Sequence, residues 1–340
     1  MIRKHDAISQ RAGAASKWLR VAHIAAATQY NRIRFARGDL RSSSGSTHRG
    51  KSTAQSLDYI RRVFQAYLSY GGLDETRLRG RTVLELGPGD NLGVALLFVS
   101  HGVRRVVCLD KFRPLGSADQ QREIYTELRR QLNAVERRRF DEAVQLTPEL
   151  SWNAGKIECI YGTGVQDADS VLEPRQFDFI ISRAVLEEVS NTDRAFAAMD
   201  RLLKAGGMLL HKIDLSDYGS LSGLGCHPLE FLTLPDFIYS FMTDDNGRPN
   251  RRLLDYYRSK MTEMGYNARI YITEVRGPDN TSQPVDGPRT ELVAGTDFDD
   301  EHVRLVEEIR PRLARRFRGL TNEELLAGGL FLAATKPGEA

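Results

Sequence analysis

Val83-Leu-Glu-Leu-Gly-Pro-Gly-Asp-Asn-Leu-Gly93 is the stretch of this 340-residue chain that decides its fold. It begins as a short apolar run, turns at Gly87 and Gly89, and continues into the helical run Val94 to Ser100. The two glycines allow a sharp turn and a close backbone approach to a ligand, and the helix that follows begins with free N–H groups. The stretch therefore predicts a strand, a ligand-binding turn and a helix.

Short apolar runs alternate with helical stretches around this turn. Strands are predicted at 82–86, 105–109, 157–161, 179–182 and 208–213, with helices near 92–101, 119–145, 167–172 and 193–204. Later apolar runs at 268–275 and 330–335 extend the same sheet. Strands that alternate with helices form parallel sheets covered on both faces. We expect an α/β fold with a doubly wound, mostly parallel, seven-stranded Rossmann-like sheet.

Composition divides the chain into two parts. Residues 1–55 are predicted to be a basic, partly disordered leader and linker, and residues 56–340 a single α/β domain. Within that domain, residues 113–155 are predicted to be a helical insertion. The aromatic run 217–265 follows a strand end and is predicted to cover the substrate, although a small aromatic core is an equal alternative. Residues 277–289 are rich in Pro and Gly and are predicted to be a mobile connection.

The leader carries most of the positive charge. Residues 1–56 contain eleven Lys or Arg against two acids, a formal charge of +9, whereas the whole chain carries only +3. The body is therefore acidic, which argues against a nucleic-acid clamp spread over the domain. Residues 17–37 mix apolar and basic side chains as an interfacial helix does. The leader could contact a peripheral membrane surface or a protein, or serve as a transit peptide.

Hydropathy and cysteine content indicate where the protein resides. No window approaches the roughly 18 apolar residues that a membrane span needs. Cys108, Cys159 and Cys226 lie far apart and lack CxxC spacing, which indicates a reducing, cytoplasmic location and no structural zinc.

The details of the glycine turn discriminate between cofactors. Asp110 ends the second strand, where a carboxylate can bind the ribose hydroxyls of an adenosine-type cofactor. A dinucleotide turn requires a third glycine three residues after the second, but Gly93 comes four residues after Gly89. Asp90 would also repel a pyrophosphate. Glu85 and Asp90 instead suit the ammonium and sulfonium charges of S-adenosylmethionine, and this cofactor is the one expected.

The chain resembles the class I S-adenosylmethionine-dependent methyltransferases over roughly residues 80–215. The family's first motif resembles Glu85 to Asn91, its fourth-strand motif resembles Phe177 to Val189, and its fifth-strand motif resembles Leu202 to Leu210. The resemblance implies that the turn holds the methionine portion and that Asp110 and Lys111 hold the ribose. It also implies Thr163 beside the adenine and Arg183 near the cofactor's carboxylate. The complete set of expected cofactor residues is Glu85, Gly87, Pro88, Gly89, Asp90, Asn91, Asp110, Lys111, Thr163 and Arg183.

The catalytic base is less clearly indicated. Many small-molecule members have Leu-Glu-His where this chain has Leu186-Glu187-Glu188, so the base is sought elsewhere. His211 is the candidate, with Asp214 orienting it or contacting substrate, and His227 is a second candidate. The pair His211 and Asp214 converges only if the strand ends near residue 213. The alternative for His211 is a packed, hydrogen-bonded histidine, and a metal site with Asp217 is a lesser one.

The sequence leaves the methyl acceptor open. No Asn/Asp-Pro-Pro-Tyr follows the fourth strand and no cysteine is placed to attack a pyrimidine, which argues against nucleobase methylation. The expectation is therefore an enzyme that O-methylates a hydroxyl of a small molecule or glycan, without a metal. The alternatives are a methyltransferase-like binding or scaffold protein, and a dinucleotide oxidoreductase.

Overall fold

A computed structural model describes residues 3–42, 45–243, 248–278 and 281–338. Its centre is an eight-stranded sheet. The strands are β1 (Thr82–Leu86), β2 (Arg105–Asp110), β3 (Ile157–Tyr161), β4 (Phe177–Arg183), β5 (Leu203–Asp214), β6 (Asn267–Arg276), β7 (Ser282–Arg289) and β8 (Ala327–Thr335). Their order across the sheet is β7-β6-β8-β5-β4-β1-β2-β3.

The first five strands are parallel, and the last three add antiparallel pairs at one side. The predicted mostly parallel, doubly wound sheet is confirmed, with all seven expected strands present. The eighth strand, β7, comes from the segment that composition predicted to be a mobile connection. Its two prolines are tolerated because β7 lies at the sheet edge, where the backbone groups on one side do not bond to a neighbouring strand.

The helices lie on both faces of this sheet. They are α1 (Arg3–Ala36), α2 (Thr53–Gly71), α3 (Glu75–Leu78), α4 (Gly93–Ser100), α5 (Ala118–Arg130), α6 (Ala134–Ala143), α7 (Thr192–Leu202), α8 (Asp236–Thr243), α9 (Leu254–Glu263), α10 (Asp300–Ile309) and α11 (Asn322–Leu326). Short 3-10 turns occur at Val165–Ser170, Leu186–Glu188, Ser222–Leu224, Glu230–Thr233, Arg310–Arg312 and Arg315–Phe317. None of the helices in the described residues has the length and apolar character needed to cross a bilayer.

Alternate strand residues supply the two cores, one on each face. Leu84 belongs to the core beneath α7 and α9, whereas its neighbour Val83 belongs to the core beneath α2 and α4. This alternation follows from the pleat, which turns successive side chains to opposite faces. Because both faces are covered, the central strand β1 is buried along its whole length.

The insertion at 113–155 contains two helices where the apolar spacing predicted one. The break comes at Asn133, whose side chain accepts hydrogen bonds from the backbone N–H groups of Val135 and Glu136. The Glu136 carboxylate in turn accepts a bond from the Asn133 N–H. This capping box begins α6. The insertion also supports the glycine turn, because the Leu92 N–H donates to the Tyr125 hydroxyl at 2.8 Å.

The leader is built into the domain more extensively than its composition predicted. In α1, Val21 and Ile24 are buried in the core beneath α7 and α9. The Lys17 ammonium lies 2.5 Å from the Glu230 carboxylate, and the Thr28 hydroxyl donates to the Met242 carbonyl. Residues 45–51, within the expected linker, pack against the glycine turn. The Ser/Gly composition did not reveal these contacts because they are made largely by backbone groups.

Segment 217–265 contributes to the core beneath α7 and α9. Its buried members include Phe231, Tyr239 and Tyr257. The Asn250 side-chain amide donates to the carbonyls of Leu186 and Val189, which fastens the segment below the end of β4. This arrangement resembles the aromatic-core alternative. A role for the segment in covering the substrate stays a prediction.

Asp178 links three elements at the amino ends of the strands, and its removal should destabilise the fold. Its carboxylate accepts from the Thr82 N–H and hydroxyl, both at 2.8 Å, and from the Lys204 ammonium at 2.9 Å. Asp178→Ala leaves a buried N–H unpaired, so we expect urea denaturation to show a loss of about 2–3 kcal/mol in the free energy of unfolding.

Asp119→Ala is the matched control, because the Asp119 side chain is 91% exposed and, among the described residues, pairs with Arg122 alone. Its unfolding free energy should stay within about 0.5 kcal/mol of wild type. Equal effects in the two variants would contradict the linking role of Asp178.

Candidate functional site

The glycine turn after β1 has the backbone geometry that only glycine adopts easily. Gly87 has φ +60° and Gly89 has φ +71°. A Cβ on Gly87 would lie 2.5 Å from a Val185 methyl group. Gly93 lets α4 pack closely on α2, since a Cβ there would lie 2.5 Å from the Ile60 side chain. The late third glycine thus permits helix packing and does not face the cavity.

A cavity of about 320 Å³ opens beside this turn, at the carboxyl ends of β1, β2 and β4. Ligands of open α/β sheets bind at this edge. Nine of the ten expected cofactor residues line it, and the exception is Asp90. Other lining residues are Gly45, Thr47, His48, Tyr59, Ile60, Val63, Tyr67, Phe112, Gln166, Val185, Glu188 and Val189. Among the described residues of segment 217–265, none is in this lining.

Two carboxylates face the cavity from neighbouring strands. Burial raises the pKa of Glu85, at the end of β1, to about 8. Burial also raises the pKa of Asp110, at the end of β2, to about 6, against the opposing effect of hydrogen bonds from the Phe112 and Gly89 N–H groups. A buried carboxylate gains from a cationic or multiply hydroxylated ligand, because either one compensates for lost water. The two groups can therefore hold an ammonium and a ribose.

Asn91 offers a donor beside these carboxylates. Its side-chain oxygen accepts a bond from the Gly93 N–H at 2.8 Å, whereas its buried Nδ2 has no partner among the described residues. A buried donor without a partner is costly unless a ligand supplies the acceptor. The Asn91 amide is therefore placed to bind a ligand carboxylate.

Asp90 holds the leader in place instead of lining the cavity. The backbone N–H of His48 donates to both of its carboxylate oxygens, at 3.2 and 3.1 Å. The Asp90 N–H donates to the Gly45 carbonyl at 3.1 Å. Gln120 adds bonds to the carbonyls of His48 and Lys51. Asp90 was expected to face a sulfonium, but its carboxylate and N–H instead bind residues 45–48. This contact places Thr47 and His48 in the cavity wall.

His48 and Tyr59 form a polar-aromatic part of this wall that the sequence did not indicate. The two rings meet edge to face at 5.4 Å, and the Arg183 guanidinium lies 5.5 Å from the Tyr59 ring centre. His48 is buried, its Nδ1 has no partner among the described residues, and burial lowers its pKa. His48 lies in a Ser/Gly-rich run that gives no sequence pattern for its position. Its placement in the cavity wall comes from the backbone contact with Asp90.

The side of the cavity next to β3 is formed by Thr163 to Gln166, and Lys111 and Phe112 follow β2. Phe112 packs on Phe35 of α1, with ring centres 4.6 Å apart. The expected positions of Thr163 and Lys111 are therefore in the same cavity as the turn, although no single contact defines their roles.

The three expected catalytic residues do not converge on the cavity. His211 is fully buried in the sheet, bonds through Nδ1 to the Ser182 hydroxyl at 2.7 Å, and has its pKa lowered by burial to about 3. Because β5 continues to Asp214, the two side chains do not converge. His227 lies elsewhere, bonded to the Leu305 carbonyl. The Asp217 carboxylate accepts hydrogen bonds from the N–H groups of Gly219, Leu221 and Ser222, and within the described residues it forms no group of potential metal ligands with His211.

Glu188 is the acid that the structure does place in the cavity wall. It follows β4 in the 3-10 turn Leu186–Glu188 and is half-buried. Burial and the nearby charge of Asp110 raise its pKa to about 7, although Tyr218 and Arg248 act in the opposite direction. Its neighbour Glu187 is buried and instead accepts from the Asp214 N–H and the Tyr218 hydroxyl. Burial also raises the pKa of Glu187, to about 8, but of these two carboxylates it is Glu188 that lines the cavity.

A comparison of the sequence with protein-family models identifies the family. A model described as a methyltransferase domain matches residues 56–265, more than half of the chain. The protein belongs to this methyltransferase family. The matched residues include strands β1–β5 and the glycine turn that opens the cavity described above. A search of curated protein sequences finds no match.

Several solved structures are similar to this chain at low identity. Phosphoethanolamine N-methyltransferase 2 from Haemonchus contortus, in complex with S-adenosylmethionine, is 14% identical with a TM-score of 0.42. The match covers 87% of this chain and 60% of the nematode chain, so this protein spans about three fifths of that enzyme. A putative S-adenosylmethionine-dependent methyltransferase from Listeria monocytogenes is 13% identical, with coverages of 83% and 95% and a TM-score of 0.38. A putative sarcosine dimethylglycine methyltransferase from Galdieria sulphuraria is 15% identical, with coverages of 83% and 84% and a TM-score of 0.36.

Removal of the Asp110 carboxylate should weaken binding of the methyl donor. Asp110→Ala loses charge-assisted hydrogen bonds to the ribose, so calorimetry with S-adenosylmethionine should show a loss of about 1–3 kcal/mol. Asp167→Ala is the matched control, because Asp167 is an exposed acid in the 3-10 turn after β3 and does not line the cavity. Unchanged affinity in Asp110→Ala would contradict the assignment.

Proposed function

We propose that the protein transfers the methyl group of S-adenosylmethionine to a hydroxyl of a small molecule or glycan, with Glu188 as the general base. The observation that carries this proposal is the Glu188 carboxylate, which lines the donor cavity and has a pKa raised to about 7. A base with a pKa near the working pH is the most effective one. Glu188 therefore replaces His211 as the leading candidate.

The proposal assigns each part of the donor to residues of the cavity. Glu85 binds the ammonium, and the free amide donor of Asn91 binds the carboxylate together with Arg183. Asp110 and Lys111 bind the ribose, and Thr163 borders the adenine. Gly87, Pro88 and Gly89 let the backbone lie against the donor without side chains in between. All of these residues line one cavity, which supports their common role.

When bound, S-adenosylmethionine supplies an electrophilic methyl group on a positively charged sulfur. The protein must align the acceptor oxygen with that methyl group and remove the hydroxyl proton. Glu188 receives this proton on its carboxylate. An alcohol loses its proton far above neutral pH, whereas an amine acceptor can lose its proton to water before it reacts. The presence of a carboxylate with a pKa near 7 therefore favours a hydroxyl acceptor.

The surroundings of the cavity favour a compact acceptor. Its wall between the turn and α2 consists of rings and small groups, among them His48, Tyr59 and Tyr67. Rings of this kind can pack against the faces of a sugar or an aromatic ring. The formal charge of the chain beyond residue 56 is negative, which supports a small-molecule or glycan acceptor over a polyanion.

Radiolabelled methyl transfer tests this proposal. The full chain is incubated with methyl-labelled S-adenosylmethionine and with the small-molecule and glycan fractions of a cell extract. We expect label in a product that resists alkali, because methyl ethers survive conditions that hydrolyse methyl esters. Donor binding in calorimetry without any transfer would support the scaffold alternative and overturn the proposal. Label confined to amine-containing products would overturn the choice of a hydroxyl acceptor.

The pH dependence of turnover should identify the base. Because Glu188 must be deprotonated to accept a proton, kcat at saturating S-adenosylmethionine, where the donor already occupies Glu85 and Asp110, should rise with pH and level off above about 7. Glu188→Gln should lower kcat by about 100-fold or more and remove this rise, while donor affinity stays within about three-fold.

His211→Asn provides the comparison. With a pKa of about 3, His211 is already deprotonated across the neutral range and cannot produce a rise near pH 7. The variant should keep the wild-type pH profile. A full loss of turnover in His211→Asn, with an active Glu188→Gln, would return the role of base to His211.

A further inference from the structure

Helix α1 is apolar on the side that faces solvent as well as on the side that faces the core. Val21, Ile24 and Thr28 are buried on its inner side. On its outer side, Trp18, Leu19, Tyr30 and Ile33 are between 48% and 73% exposed. Ala22 and Ala26 are exposed between them at helical spacing. This exposed set, Trp18, Leu19, Ala22, Ala26, Tyr30 and Ile33, is the outer face of α1.

Helix α8 extends this apolar surface. The Gln29 amide donates to the Phe241 carbonyl, and the Thr28 hydroxyl donates to the Met242 carbonyl, so the two helices lie side by side. Phe237 and Phe241 are one turn apart on α8 and are 68% and 57% exposed. Water-facing aromatic side chains on two adjacent helices are unusual on a surface that contacts only solvent.

Along α1 and the segment after it, the charge beside this surface is mainly positive, and on α8 the acid Asp236 pairs with Arg251 and Arg316. Residues 17–51 contain eight Lys or Arg and a single acid, Asp39. Asp39 binds Arg34 and Arg41. Arg32 and Arg37, at the carboxyl end of the helix, are exposed next to Ile33. Apolar and aromatic side chains bordered by cations match an anionic lipid surface, whose headgroups attract the cations while the rings enter the interface.

We propose that the outer face of α1, together with Phe237 and Phe241, docks the protein on an anionic membrane surface. A second copy of the chain fits less well, because a symmetric contact would bring the same cations together. A nucleic acid fits less well too, since its phosphates would leave Leu19 and Ile33 without apolar partners. The proposal is independent of the methyl acceptor.

Vesicle flotation with the full chain tests this docking. Vesicles of phosphatidylcholine with about 30% phosphatidylserine should carry the protein, and vesicles of phosphatidylcholine alone should carry much less of it. Binding should also fall at about 0.5 M salt, because salt screens the headgroup charge. Leu19→Ser/Tyr30→Ser/Ile33→Ser should weaken binding on the order of ten-fold or more, since three inserted side chains are lost.

The matched control is Val135→Ser/Val171→Ser/Val293→Ser, which removes three exposed apolar side chains outside the patch. It should bind vesicles as wild type does. Both variants should bind S-adenosylmethionine normally, which shows that they are folded. The proposal is overturned if wild type ignores anionic vesicles or if the two variants bind equally. It is also overturned if the patch variant converts a dimer to a monomer without lipid.

Discussion

The contact between Gly45 and Gly89 is the constraint on which the site depends. A Cβ on Gly89 would lie 2.6 Å from the Gly45 carbonyl oxygen, so the two backbones can meet only because residue 89 is glycine, and Gly45 has φ +78°, which glycine adopts easily. The Asp90 N–H and carboxylate then bind the Gly45 carbonyl and the His48 N–H. One side of the turn faces the cavity, and the other side contacts the leader. The cavity therefore has a wall that comes from outside the matched methyltransferase domain.

Burial gives this cavity its electrostatic character. Glu85, Asp110 and Glu188 approach from the ends of three neighbouring strands, and burial raises the pKa of each one. Carboxylates in such a place are costly in the charged form unless a cation or hydrogen-bond donors face them. A positively charged donor that also presents ribose hydroxyls meets this requirement. The same raised pKa makes Glu188 suitable for accepting a proton at neutral pH.

Helix α1 joins the cavity wall to the proposed docking surface. Its inner side is buried with the core, its carboxyl end places Phe35 against Phe112 of the cavity wall, and its outer side is apolar. An exposed apolar side bordered by Lys and Arg is typical of a helix that contacts a partner surface. The leader, which composition describes only as basic, thus has one side that serves the fold and another that remains available for a partner.

Local pattern alone determined the sheet, the glycine turn and the positions of Glu85 and Asp110, because strand alternation and glycine conformation depend on neighbouring residues. Tertiary structure alone decided which polar groups share the cavity. Asp90 binds residues more than 40 positions away, and His211 is enclosed because its strand pairs with β4 on one side and β8 on the other. Glu188 lies in the cavity wall because of the turn after β4, and His48 lies there because the leader packs on the glycine turn. Such long-range contacts depend on how distant segments pack, and the local periodicity of a sequence carries no information about that packing.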